Sequence, residues 1–170
     1  MPDYRRFQVS GGTYFFTVNL LERKSNDLLL RHIDDLRIAV MKTRKSRPFH
    51  IDAWVVLPNH LHCVWTLPDG DSDNANRWRL IKQYFSKTIP KNERRSAVRL
   101  ARGERGIWQR RFWARLIVSD TDYVTHIDYC HINPLKHGLV ERVIDWPYST
   151  FHRYIASGVY PADWAGVANG

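Results

Sequence analysis

Two apolar segments, residues 49–57 and 60–67, stand only Pro58-Asn59 apart, and this spacing constrains the fold more than any other feature of the chain. Both are short, rich in Val, Trp and Leu, and bounded by turn residues, so each reads as a strand. A two-residue connection leaves no room for a crossover, which makes the pair an antiparallel hairpin. Upstream, Gly11-Gly12 marks a turn before the β-branched and aromatic run 13–20, a third buried strand. Between them Leu29, Ile33, Leu36 and Val40 recur at helical spacing, with Asn26 or Asp27 as N-cap and Pro48 bounding the far end. Downstream, residues 77–87 read as a helix and 112–118 as a fourth strand. Ser119-Asp120-Thr121-Asp122 then opens a helix. That helix is expected to stop near Asn133, because a proline disfavours helical backbone in the residue before it, with Gly138 as a turn beyond. A last short helix runs from about Trp146 to Ala156. The order strand, helix, strand, strand, helix, strand, helix predicts an α+β sandwich of the ferredoxin-like or split βαβ kind: a mostly antiparallel sheet with helices packed on it.

At 170 residues this is the length of one domain, expected to span 1–170 with a weakly patterned tail from 158 to 170. The two cysteines, Cys63 and Cys130, sit inside patterned segments and read as buried thiols in a reducing compartment. No apolar run approaches the ~18 residues of a membrane span, and the N-terminus lacks a signal core, so a cytoplasmic protein is expected. The positive charge is concentrated. Residues 77–115 hold thirteen Lys or Arg against Glu93 and Glu104, a local net charge of +11 in a chain whose total is +9. Such a segment is the electrostatic footprint of a polyanion partner, the alternative being a solvated basic face. Interleaved Trp78, Tyr84, Phe85, Trp108, Phe112 and Trp113 favour nucleic acid, although several belong to the core on any reading. Arg77, Arg79, Lys82, Arg110 and Arg111 are the candidate phosphate contacts, with salt bridging as the alternative for the last two.

His60-Leu61-His62 places two imidazoles on one face of a strand, a two-ligand metal edge unless they are merely surface histidines. Nitrogen ligands completed by oxygen and water suit Mn²⁺ or Mg²⁺. On the later helix Tyr129 and Asn133 stand at i and i+4, one turn apart on one face. A tyrosine beside a metal is a candidate nucleophile, and the Asn133 carbonyl a candidate third ligand. The alternatives are a core tyrosine and an Asn-Pro helix stop. His126, three residues before Tyr129, could touch the same site. His131 is expected to point away, and His137 to close the helix end electrostatically.

Several segments then point to one family: Tyr4-Arg5-Arg6, Trp54-Val55-Val56-Leu57-Pro58-Asn59-His60-Leu61-His62, Gly106-Ile107-Trp108-Gln109-Arg110-Arg111-Phe112-Trp113, Asp128-Tyr129-Cys130-His131-Ile132-Asn133-Pro134 and Asp145-Trp146-Pro147. In this order they resemble the REP-associated tyrosine transposases, bacterial relatives of the small single-tyrosine HUH transposases. The resemblance covers nearly the whole chain and is weakest over residues 91–105, a basic segment longer than the family pattern implies. It implies that His60, His62 and Asn133 hold a divalent metal, Mg²⁺ or Mn²⁺, and that Tyr129 is the nucleophile. It implies single-stranded DNA cleavage and rejoining at repeated extragenic palindromic hairpins through a 5′-phosphotyrosine. Tyr4, Arg5 and Arg6 would help read a tetranucleotide beside the stem. It further implies a nucleoid-associated bacterial protein and, from the longer C-terminal part, a monomer, with a dimer that exchanges tyrosines between chains as the alternative. Two other readings stand beside it: a hairpin-binding module that does not cut, and an HUH replication or conjugation nickase, though the chain leaves no room for a helicase.

Overall fold

The computed structural model describes residues 9–93 and 95–166. Strand β1 (Thr13–Asn19) is followed by helices α1 (Leu28–Arg31) and α2 (Ile33–Ser46), strands β2 (His50–Val56) and β3 (His60–Thr66), and helices α3 (Asn74–Thr88) and α4 (Ala97–Arg102). Strand β4 (Trp113–Leu116), helix α5 (Asp120–Lys136), a 3-10 turn (Val143–Asp145) and helix α6 (Phe151–Ala156) complete the order. The strands form one antiparallel sheet in the order β2-β3-β1-β4. This is the expected ferredoxin-like arrangement, in which β3 is inserted between β1 and β2, the strands that the first helical segment connects.

Alternation along β1 and β3 sorts the core onto two faces. Phe16, Val18, Leu61, Cys63 and Trp65 point one way and pack with Leu36 of α2 and with Trp78, Ile81 and Phe85 of α3. Trp65 and Trp78 stack with centroids 4.6 Å apart, and the Trp65 indole N–H donates to Asn74 Oδ1 at 2.8 Å, fixing the start of α3. Phe15, Ala53, Val55 and Val64 point the other way and meet Ile127 and Cys130 of α5. Helix α5 therefore occupies the second face of the sheet, where it packs against β2 and β3.

Three local devices fix α5. Ser119 Oγ accepts from the Asp122 amide at 3.0 Å, capping the first turn. A register shift in β2 between Ile51 and Ala53 accompanies a buried Asp52, whose carboxylate accepts from Thr66 Oγ1 at 2.8 Å and from the Tyr123 hydroxyl at 2.7 Å. The far end differs from the expectation that Pro134 would terminate the helix. Pro134 is buried inside α5, and the helix runs one turn further to Lys136. It ends in a two-bond C-cap in which the Leu139 amide donates to Pro134 O and the Gly138 amide to Leu135 O, with Gly138 at φ +71°. The bias of the residue before a proline away from helical backbone is a tendency, and here burial plus a closed cap outweigh it.

The other boundaries shift modestly. The first helical pattern is broken at His32 (φ −116°) into α1 and α2, and β4 is shorter than 112–118. The basic stretch after α3, expected to be loose, holds α4 and a clasp in which the Arg105 guanidinium donates to Glu93 Oε2, Ser86 O, Ile89 O and Pro90 O. In the described part of the tail, residues 158–166, Tyr160 and Trp164 pack on Phe151 with Ile132 and Leu135. Cys63 and Cys130 are free, buried thiols. Among the described residues no helix is long and apolar enough to cross a membrane.

Candidate active site

Strand pairing assembles the site. Val55, His62, Thr17 and Trp113 are register partners across the sheet, so their side chains share the α5 face, and Asn19 and His60 form the next row. His60 and His62 are 6% and 4% exposed, which disposes of the surface-histidine alternative. Their rings lie 5.0 Å apart, centre to centre. Above them α5 lowers Tyr129, whose ring meets His62 edge-on at 5.2 Å. Phe15 is the common floor, 5.7 Å from His62, 5.6 Å from Tyr129 and 4.9 Å from His126.

Each imidazole is oriented by a neighbour. His60 Nδ1 is 2.6 Å from Asn59 Oδ1, an acceptor, so Nδ1 carries the proton and Nε2 the lone pair. His62 Nδ1 is 2.9 Å from Thr17 Oγ1, which leaves its Nε2 for another partner. Burial, then the positive charge of Arg23 and the neighbouring His137, pull the His60 pKa down to about 4. For His62 burial again leads, followed by His60, His137, Arg23 and Lys136, and the pKa falls to about 3. Both rings are therefore neutral at pH 7, the form that binds a metal.

Asn133 is fully buried. Its Nδ2 donates to Tyr129 O at 3.2 Å, while its Oδ1 is buried without a hydrogen-bond partner. An orphaned amide oxygen one turn from Tyr129, whose ring in turn meets the oriented, neutral His62, fits a cation that accepts mixed nitrogen and oxygen ligands. Among the described residues His, Cys, Asp and Glu assemble no metal-holding group of three, so a cation held by His60 and His62 would need Asn133, water or substrate to complete its shell.

Sequence reasoning missed several neighbours. Lys136 places its ammonium 5.2 Å from the Tyr129 ring centre, and the His137 ring lies 5.4 Å from that of His60. His137 does sit at the C-cap, but it also borders the histidine pair. Their only sequence signal is the spacing from Tyr129, seven and eight residues, which is two helical turns. Thr17 and Arg23 carried none, since strand register and loop path brought them in. His126 reaches the site through Phe15, its Nδ1 held by Asp122 O at 2.7 Å. His131 points away as expected, buried with Nε2 2.7 Å from Thr150 Oγ1 and Nδ1 3.2 Å from the Tyr160 hydroxyl.

The candidate DNA contacts separate. Tyr4, Arg5 and Arg6 lie outside the described residues. Arg77 is corrected: it is 1% exposed and all five of its N–H groups are spent on Asp71, Asp73 O, Pro48 O and Arg47 O. A strand of positive sequence cannot reveal that one of its members faces inward. Arg79 and Arg111 are exposed, Arg110 pairs with Glu104 at 3.0 Å, and Lys82 donates to Gln109 O at 2.9 Å. Lys82, Lys87, Lys91, Arg99, Arg105 and Arg110 line a groove of about 620 Å³. Of the interleaved aromatics, Trp78, Phe85, Trp108 and Phe112 are core, Tyr84 is partly buried, and Trp113 is 51% exposed.

No family model matches the chain. Curated relatives do. The REP-associated tyrosine transposase of Escherichia coli K12 is 51% identical over 166 residues, covering 98% of this chain and 92% of its own length. A Haemophilus influenzae protein named after the same family is 42% identical over 171 residues, covering 98% of this chain and 94% of its own. Among solved structures, a REP-associated tyrosine transposase bound to a REP hairpin superposes with a TM-score of 0.84 at 49% identity, over 100% of this chain and 94% of that one. Identity of this extent over essentially the whole length places the chain in the family of REP-associated tyrosine transposases.

Proposed function

We propose that this protein cuts and rejoins single-stranded DNA beside REP-type palindromic hairpins, through a 5′-phosphotyrosine on Tyr129. The observation that carries the reading is the edge-on approach of Tyr129 to His62, 5.2 Å between ring centres, within one chain. His60 and His62 would hold Mg²⁺ or Mn²⁺ through Nε2 and Asn133 through its orphaned Oδ1. Bound there, the cation supplies charge neutralisation and polarisation of the scissile phosphate. Thr17 and Asn59 keep both lone pairs aimed. Tyr129 Oη attacks phosphorus in line with the departing 3′ oxygen. The P–O3′ bond breaks, and the phenolic proton passes through solvent to the 3′ oxygen. Lys136 adds positive charge beside the nucleophile. Attack by another 3′-hydroxyl reverses the step, so the bond energy is retained and no nucleotide hydrolysis is needed.

The basic groove beside α3 and α4 suits the hairpin backbone, since neutralising phosphates releases counterions. The hairpin held by the structural relative supports that substrate. A site completed inside one chain supports a monomer, and chromosomal repeats as substrate would put the protein on the bacterial nucleoid. The test is incubation with Mn²⁺ and an end-labelled hairpin carrying an unpaired arm, resolved under denaturing conditions. A covalent adduct is expected in the wild type and absent in Tyr129→Phe, with binding retained. An adduct that survives Tyr129→Phe removes Tyr129 as nucleophile, and no adduct on any hairpin leaves a binding module that does not cut.

A further inference from the structure

We propose that Trp113 is the stacking platform for an unpaired nucleobase adjoining the phosphate that Tyr129 attacks, an inference that rests on the cleavage reading of the same site. Trp113 is 51% exposed, the most exposed of the Trp, Tyr and Phe side chains among the described residues. Its direction is set by pairing. Thr17 is the register partner of both Trp113 on β4 and His62 on β3, and register partners share a face. Trp113 therefore stands on the face of the reactive groups, two inter-strand spacings, ~10 Å, from His62. The neighbouring residues of β4, Ala114 and Leu116, turn to the opposite core, which confirms the alternation.

Helix α5 packs on β2 and β3, and the β4 end of this face lies beyond them. The result is a shelf with Thr17 and Asn19 between the histidine pair and the indole. The other outward residue of β4 on this face, Arg115, is engaged with Asp122 at 3.3 Å. A single strand whose phosphate lies at Tyr129 can cross Thr17 and lay a neighbouring base on Trp113. The indole offers a π-face to any base, so the ligand class is an unpaired nucleotide without strong sequence preference. Duplex DNA presents no free base face, which makes the platform a selector for unpaired arms.

The experiment compares wild type, Trp113→Ala and Trp113→Phe for binding to a palindromic hairpin with and without an unpaired arm. Trp113→Ala is expected to weaken the armed hairpin on the order of ten-fold, Trp113→Phe to keep most of the affinity, and all three proteins to bind the armless hairpin equally. One abasic nucleotide walked along the arm should, at a single position, bring wild type down to the Trp113→Ala level and leave Trp113→Ala unaffected. Unchanged armed binding in Trp113→Ala overturns the platform. Equal loss on armed and armless hairpins also overturns it, because that is the signature of a structural defect. The Tyr129 adduct assay on wild type reports separately on the cleavage reading, and a wild type that binds neither hairpin sinks both.

Discussion

Replacing Arg77 by lysine separates two roles that the sequence cannot distinguish. Its guanidinium is 1% exposed and its five N–H groups each have an acceptor: Arg47 O at 3.2 Å, Asp71 Oδ1 and Oδ2 at 3.0 and 2.8 Å, Asp73 O at 2.7 Å and Pro48 O at 2.8 Å. The fork ties the end of α2, the start of β2 and the loop before α3. An ammonium has three N–H groups and no fork, so at least two acceptors are left without a partner. Charge-assisted bonds contribute about 1.5–3 kcal/mol each. The Asp71 side chain is 34% exposed and recovers part of this through water. The expected loss is about 2–4 kcal/mol, read as a lower urea midpoint with an unchanged slope. Below the unfolding transition, hairpin affinity and its salt dependence should match wild type. A phosphate contact would behave in the opposite way, since lysine keeps the charge. Stability within about 0.5 kcal/mol of wild type would refute the structural assignment.

His131 makes stability depend on pH. Burial, then the charge of Arg153, lowers its pKa to about 3, below the ordinary 6.5. Its contribution is present above pH 6.5 and is lost as pH falls toward 3, because the unfolded chain takes up a proton that the native chain refuses. At pH 5 the loss is about 2 kcal/mol for this residue, and His131→Gln should make the stability profile between pH 7 and 5 shallower by that amount in chemical denaturation, the depressed His60 and His62 keeping their own share of the slope; a profile as steep as wild type would assign the slope elsewhere. Thr17→Val removes the hydroxyl 2.9 Å from His62 Nδ1 and should cut Mn²⁺ affinity by 10–100-fold, measured by calorimetry at fixed pH, with stability changing by less than about 1.5 kcal/mol. An unchanged Mn²⁺ affinity would remove Thr17 from the orientation of that ligand.

The hairpin 49–67, the helical spacing of Leu29 to Val40 and the turn glycines follow from local sequence alone, because strand alternation, helical period and turn chemistry act within a few residues. His60 with His62, and Tyr129 with Asn133, were also legible as pairs, since each pair lies on one element. Joining the two pairs required long-range pairing and packing: the register that sets Thr17 beside His62, the irregular β2 with Asp52 that anchors Tyr123, and the face of the sheet to which α5 docks. The same is true of charge and aromaticity. Residues 77–115 are basic and aromatic along their whole length in sequence, yet only packing turned Arg77 and Trp78 inward and left Trp113 exposed on the face that carries His62. Local sequence sets what an element is and which residues share its face. The burial of one face against another, decided by contacts tens of residues apart, sets which of those faces meet and which side chain is left to meet DNA.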